Sequence, residues 1–524
     1  MQLVHHFLEQ SAEHFPDKVA LVCDGRRLTY AKIETQANRL AQALRARGLA
    51  RGDRVAVWLP NSVEAVVAIF GALKAGGVFV VLNATTPAEK VARILNNCTA
   101  SALILPARQA EDARFLRGAV PSLRTVILCG EPPAPPADLP GERWDEVLDA
   151  APPTRPPCPT IDVDLACLIY TSGSTGDPKG VMSTHANVVF AASSIIKYLE
   201  NTPDDVVINV LPLSFDYGLY QLLMVFKFGG RLVLERSFAY PAAVLRRIEE
   251  ERVTGLPGVP TLYAMLLQVN LSRFDLSSLR YMTNTAAALP VEHIRRLRER
   301  FPWVRFYSMY GLTECKRVCY LPPEELDRRP SSVGIPIPGT EVWIEDETGR
   351  RLGPGEVGEL VVRGSHVMQG YWNDPEETAR RYRPGRYPAE RRLYTGDLFY
   401  MDEDGFLYFV ARKDDIIKTR GEKVAPREVE EVLYRLPGVV EAAVVGVPDE
   451  VLGQAIKAVI VCGPGLHLTR QDVLRHCMQH LEDFAVPRYV EFRDSLPKTP
   501  SGKIDRRALA LTSPSEWPVK PGEE

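Results

Sequence analysis

The chain has 524 residues, 45% of them hydrophobic and 25% charged, with a formal net charge of −3. That length exceeds what one hydrophobic core supports and predicts two or more domains of ordinary globular composition. The near-neutral charge gives no global reason to expect nucleic acid or an anionic membrane as partner. Nine scattered cysteines with no C-x-x-C pair read as a reducing compartment. With no basic stretch leading into an apolar one at the start, the expected location is cytoplasmic.

Residues 2–50 predict amphipathic helices around a strand at 19–22, with Asp24-Gly25 as a turn. Strand, helix and strand follow at 55–59, 63–74 and 78–82. The apolar window 63–82 carries Glu64 and Lys74 and is not a membrane span. Prolines crowd 131–160, which reads as an irregular surface excursion within the large domain. An apolar strand at 165–169 then empties into a loop of small and hydroxylated residues, and a helix runs over 187–199. Strands and helices alternate through Tyr310, an α/β pattern. Past residue 340 the chain becomes strand-rich (341–344, 359–362, 406–409), as a small β subdomain would. A second, compact α+β unit begins near Asp415. Pro426 opens a helix, strands lie at 439–447 and 458–462, a helix at 469–481 and a strand at 489–492. The proline-bearing tail from 512 reads as disordered.

Residues 169–182 read I-Y-T-S-G-S-T-G-D-P-K-G-V-M. Gly173, Gly176 and Gly180 let backbone approach a bulky anion, while Thr171, Ser172, Ser174 and Thr175 offer hydroxyls and Lys179 a point charge. The Gly-Lys-Ser/Thr of the common P-loop is absent. Further on come Tyr310-Gly311-Leu312-Thr313-Glu314, then Tyr394-Thr395-Gly396-Asp397 with Arg412 fifteen residues later. The charged junction 411–421 and Pro497-Lys498-Thr499-Pro500-Ser501-Gly502-Lys503 complete the set.

In that order the motifs resemble those of the adenylate-forming superfamily: acyl-CoA synthetases, adenylation domains of peptide synthetases, and luciferases. The resemblance implies an α/β fold in which a large N-terminal domain (1–413) contains two α/β subdomains and a small β subdomain. A small mobile α+β lid (414–511) and the tail (512–524) follow. It implies ATP and Mg²⁺ as cofactors. The 171–179 loop takes phosphate, Tyr310 stacks on adenine, Thr313 contacts the α-phosphate and Glu314 holds the metal. Asp397 and Arg412 reach the ribose, and Lys503 is the catalytic cation between carboxylate and α-phosphate. Asp414 is the hinge, and the Gly421 loop borders the thiol's path. Ser308 departs from amino-acid-activating members, which place Asn there.

The similarity also reads on the acid. Phe215-Asp216 is similar to the F-D of amino-acid-adenylating domains, whose Asp pairs with the α-ammonium; an N-cap role for Asp216 is the alternative. Tyr217 with Asn284, Thr285 and Ala286 should line a modest cavity. The expectation is activation of a small amino acid, with a carrier protein's phosphopantetheine or CoA as thiol acceptor. A fatty- or aryl-acid CoA ligase is the alternative. His476 and His480 read as solvated helix residues, and Cys315 and Cys319 lie near the site without a base to activate them.

Overall fold

The computed structural model describes residues 2–131, 139–172, 178–388, 390–420, 422–449, 452–463, 465–466, 468–499 and 502–510. Two open α/β sheets form most of the chain. The first takes strands in the order Glu142–Arg143, Thr125–Cys129, Ala102–Pro106, Arg54–Val57, Val78–Val81, Leu165–Ser172 and Pro178–Thr184. All its pairings are parallel except the last, where Pro178–Thr184 returns antiparallel along Leu165–Ser172. The second, nine-stranded sheet has a parallel centre: Arg305–Tyr310, Tyr281–Asn284, Gly255–Gly258, Val206–Asn209, Arg231–Leu234 and Val19–Cys23. These strands are apolar runs because helices cover both faces of such sheets.

The helix Val63–Lys74 packs on Tyr30–Ala46, and both contribute to one core cluster with residues of both sheets. Lys74, the polar residue that broke its apolar run, is buried against Glu9 and Glu34. No helix among the described residues is long and apolar enough to cross a membrane.

Two local expectations need correction. The 131–160 stretch is not irregular throughout: Glu142–Arg143 adds a strand and Trp144–Asp149 is a helix. Its proline-free interior puts Trp144, Val147 and Leu148 at helical spacing, and burying them stabilises the turn. The loop after Leu165–Ser172 feeds the antiparallel strand Pro178–Thr184 before any helix, and Thr184 then caps His185–Leu199 in a capping box.

An antiparallel five-stranded sheet follows, containing Thr340–Glu345, Gly358–Gly364, Tyr382–Pro384, Arg391–Met401 and Leu407–Arg412. A last sheet holds Ile417–Thr419, Glu422–Val424, Val439–Asp449, Gly453–Cys462 and Tyr489–Phe492, flanked by helices Pro426–Arg435 and Arg470–His480. It has its own core around Ile417, Val429, Val444 and Val473. The tail from 512 lies outside the described residues.

Candidate active site

In the second sheet, the chain leaves Val206–Asn209 for Arg231–Leu234 on one side, then crosses to Gly255–Gly258 on the other. The crevice beyond the carboxyl ends of strands at such a reversal is where open α/β sheets hold ligands. Residues 210–216 leave one of these ends and Val259-Pro260-Thr261 the other. Both segments meet the C-terminal unit. The Thr261 hydroxyl donates to the Gly502 carbonyl at 3.2 Å, and Lys503 Nζ stands 5.8 Å from the centre of the Phe215 ring.

Lys503 sits in a tight turn closed by Thr499 N–H donating to its carbonyl at 2.7 Å. Burial, and next the Arg412 charge, hold its ammonium below the usual lysine range; Asp216, Asp397 and Glu314 oppose them.

Each partner is positioned locally. Asp397 faces Arg412 across the antiparallel pair, 3.5 Å from its Nε, and accepts from the Tyr310 hydroxyl at 2.5 Å. Burial raises the Asp397 pKa, which Arg412 and Tyr310 partly offset. Gly396 has φ +74°, a backbone conformation that side chains rarely adopt, which favours glycine there. The Tyr310 ring packs edge-on against Phe399, with centroids 4.8 Å apart. Glu314 accepts from the Tyr371 hydroxyl at 2.6 Å, and its carbonyl accepts from Met368 N–H. One oriented carboxylate suits Mg²⁺, which draws its other ligands from water and substrate phosphates.

The Tyr310–Glu314 segment curls back on itself. Lys316 N–H donates to the Leu312 carbonyl and Val318 N–H to Tyr310. The curl sets the Lys316 carbonyl where a Gly311 Cβ would be, 2.1 Å away, which explains the glycine.

Thr171 pairs with Lys179 across the hairpin, and Lys179 Nζ lies 3.4 Å from Glu377 and 5.7 Å from the Tyr371 ring centre. Gly173, Ser174, Thr175, Gly176 and Gly421 lie outside the described residues, as does the side chain of Ser172. Thr313 is partly exposed beside Glu314. Asp414 lies in an exposed 3₁₀ turn, Lys413–Asp415, between two sheets.

On the acid side, Asp216 is the first residue of helix Asp216–Phe228; the cap position belongs to Phe215, so the N-cap alternative is wrong. Tyr217 is buried and its hydroxyl hydrogen-bonds to Thr283. Asn284 ends the adjoining strand, its side-chain N–H donating to Ala287 at 3.1 Å, while Ala286 holds φ +76°, strained for a residue with a side chain. Ser308 is buried, its carbonyl accepting from Leu321 N–H. Cys315 and Cys319 are buried, which raises both thiols. His476 donates to or accepts at the Val432 carbonyl and joins no metal cluster among the described residues. Sequence reasoning missed Tyr371, Glu377, Arg381 and Thr261. No local signal marks them, because each acts through a partner distant in the chain.

The reversal of a parallel sheet, met by a lysine-bearing turn of a separate unit, is the arrangement in which an α/β protein holds a ligand. The chain belongs to the AMP-binding enzyme family. The family model matches residues 8–372, and that of the AMP-binding enzyme C-terminal domain matches 428–503. It is 36% identical to a long-chain-fatty-acid–CoA ligase of Bacillus subtilis, covering 96% of this chain and 93% of that one. Among solved structures it resembles the anthranilate CoA ligase AuaEII in complex with anthranoyl-AMP, with a TM-score of 0.90 and 28% identity over 97% of this chain and 96% of that one. It also resembles ATP-bound MatB from Rhodopseudomonas palustris, with a TM-score of 0.87 and 29% identity over 97% and 98% of the two chains. The chain is an AMP-forming acid–thiol ligase of mixed α/β fold that uses ATP and Mg²⁺.

Proposed function

We propose that this enzyme is an acid–CoA ligase. It joins a carboxylic acid to ATP as an acyl-adenylate, releases pyrophosphate, and passes the acyl group to the CoA thiol. The observation that carries the reading is Lys503 at the sheet reversal, its Nζ 5.8 Å from the Phe215 ring centre and its turn tied to Thr261 through the Gly502 carbonyl. The acid's carboxylate and the α-phosphate repel each other, and a cation held between them lowers that barrier electrostatically. Asp397 and Arg412 hold the ribose and Tyr310 borders the adenine, so most of the catalysis is positioning. Glu314 would hold Mg²⁺, which neutralises phosphate charge. Thr313 and the 171–179 segment contact the phosphates. The unit from 414 onward swings about Asp414 to exchange Lys503 for the thiol path beside Gly421.

The fatty-acid and anthranilate relatives favour CoA and a fatty or aryl acid over an amino acid and a carrier protein. One observation keeps the amino-acid reading in play: Asp216 opens the helix that borders the crevice. Its charge does not require a substrate ammonium, however, because the residue is partly exposed and keeps contact with water. Exchange of labelled pyrophosphate into ATP across a panel of fatty, aryl and amino acids tests the reading. CoA and a phosphopantetheinylated carrier protein are then compared as acceptors. Asp216→Ala should barely alter exchange for a fatty or aryl acid. Near-abolition, with amino acids as the only substrates, would overturn the CoA-ligase reading.

A further inference from the structure

Elsewhere in this chain buried cations are matched by acids. Lys74 meets Glu9 and Glu34, Lys457 meets Glu491 at 2.7 Å, and Arg329 meets Glu325, Asp402 and Asp404. Lys316 and Arg317 break that pattern. They are 5% and 4% exposed, yet Lys316 Nζ and Arg317 Nε have no hydrogen-bond partner among the described residues. A buried ammonium without an acid is costly, and native folds tolerate it where a ligand completes it.

Their surroundings place them beside the helix Asp216–Phe228, which the adenylation reading assigns to the acid. Arg317 Cζ lies 5.4 Å from the Tyr217 ring centre, and Lys316 Nζ lies 5.6 Å from that of Tyr220. Tyr217 and Tyr220 follow Asp216 within the first turn of its helix. Asp216 is partly exposed while both tyrosines and both cations are buried, so the two cations lie deeper than that carboxylate. Tyr220 Oη, Asn284 Oδ1 and Thr285 Oγ1 are likewise buried without partners. Lys316 at φ +65° and Ala286 at φ +76° are both strained backbones that flank the pocket, as functional sites hold them. Unpartnered buried polar atoms on three elements, beside aromatic rings, gather around the start of the Asp216 helix.

We propose that Lys316 and Arg317 are specificity-determining residues that bind a second anionic group on the acid, a carboxylate distal to the reacting one. The substrate class is thus a dicarboxylic acid. The guanidinium fork suits a carboxylate bidentately and the ammonium adds a point charge. This rests on the adenylation reading above.

The test is pyrophosphate exchange with straight-chain and benzoic acids paired with counterparts of matched length bearing a distal carboxylate. Wild type is compared with Lys316→Met and Arg317→Met, and a rise in Tm on adding AMP reports intact folding. Wild type should favour the dicarboxylates by about 100-fold in kcat/KM, because a site built to bond a polar group rejects analogues lacking it. Both variants should lose most of that preference and gain on the monocarboxylates. Equal or better exchange with monocarboxylates in wild type overturns the proposal, as does a preference unchanged in both folded variants. No exchange with any acid would instead overturn the adenylation reading.

Discussion

The Tyr310 hydroxyl donates to the Asp397 carboxylate at 2.5 Å, tying the end of strand Arg305–Tyr310 in the second sheet to the antiparallel sheet that follows. The acceptor is 4% exposed, and burial raises its pKa. A raised carboxyl pKa means the charged form is disfavoured in the fold. The cost is fully present above the folded pKa and vanishes as pH falls below the unfolded value. Asp397→Asn should therefore raise Tm by about 1–3 °C at pH 7, and the gain should shrink on acidification through the carboxylate range. The same variant should lose about 100-fold in ATP-dependent exchange, roughly 2.7 kcal/mol of lost nucleotide contact. Thermal melts from pH 3 to 8 and exchange kinetics check both halves. A Tm gain independent of pH would contradict the charge argument.

Lys503 must be protonated to bridge two anions, and burial holds its pKa below 10.5. The exchange rate should fall at alkaline pH with a limb below the usual lysine range, and Lys503→Arg should move that limb upward. Lys503→Ala should lose adenylate formation by about 100-fold or more while keeping thioester formation from supplied acyl-adenylate. Equal loss of both half-reactions would refute that division.

Tyr371 orients Glu314 through a 2.6 Å hydrogen bond. Tyr371→Phe should raise the Mg²⁺ concentration for half-maximal exchange by about 10- to 100-fold, because a hydrogen bond to a charged group is worth about 1.5–3 kcal/mol. Glu314→Gln should raise it further. A magnesium titration at fixed ATP distinguishes this from general destabilisation, which would lower the rate at every concentration.

Gly311→Ala sets a Cβ 2.1 Å from the Lys316 carbonyl, backbone against backbone. It should destabilise the fold by about 2–3 kcal/mol. Gly118→Ala meets nothing within 4 Å in helix Ala110–Ala119 and should stabilise by about 0.5–1 kcal/mol. Urea denaturation of the two variants side by side provides the comparison.

Local periodicity and turn chemistry carried much of this in the sequence. The helix at Val63–Lys74, the proline-led helix at Pro426–Arg435 and the strand at Tyr489–Phe492 are legible because burial patterns and backbone restrictions act within a few residues. The motifs around Tyr310, Asp397 and Lys503 were legible for the same reason, and they led to the family. Only tertiary structure decided what those residues meet. Glu314 meets Tyr371, Asp216 begins its helix instead of capping it, and Lys316 Nζ and Arg317 Nε go without a partner among the described residues. Charge pairing and desolvation depend on distances between residues tens to hundreds of positions apart, and no local pattern encodes those distances.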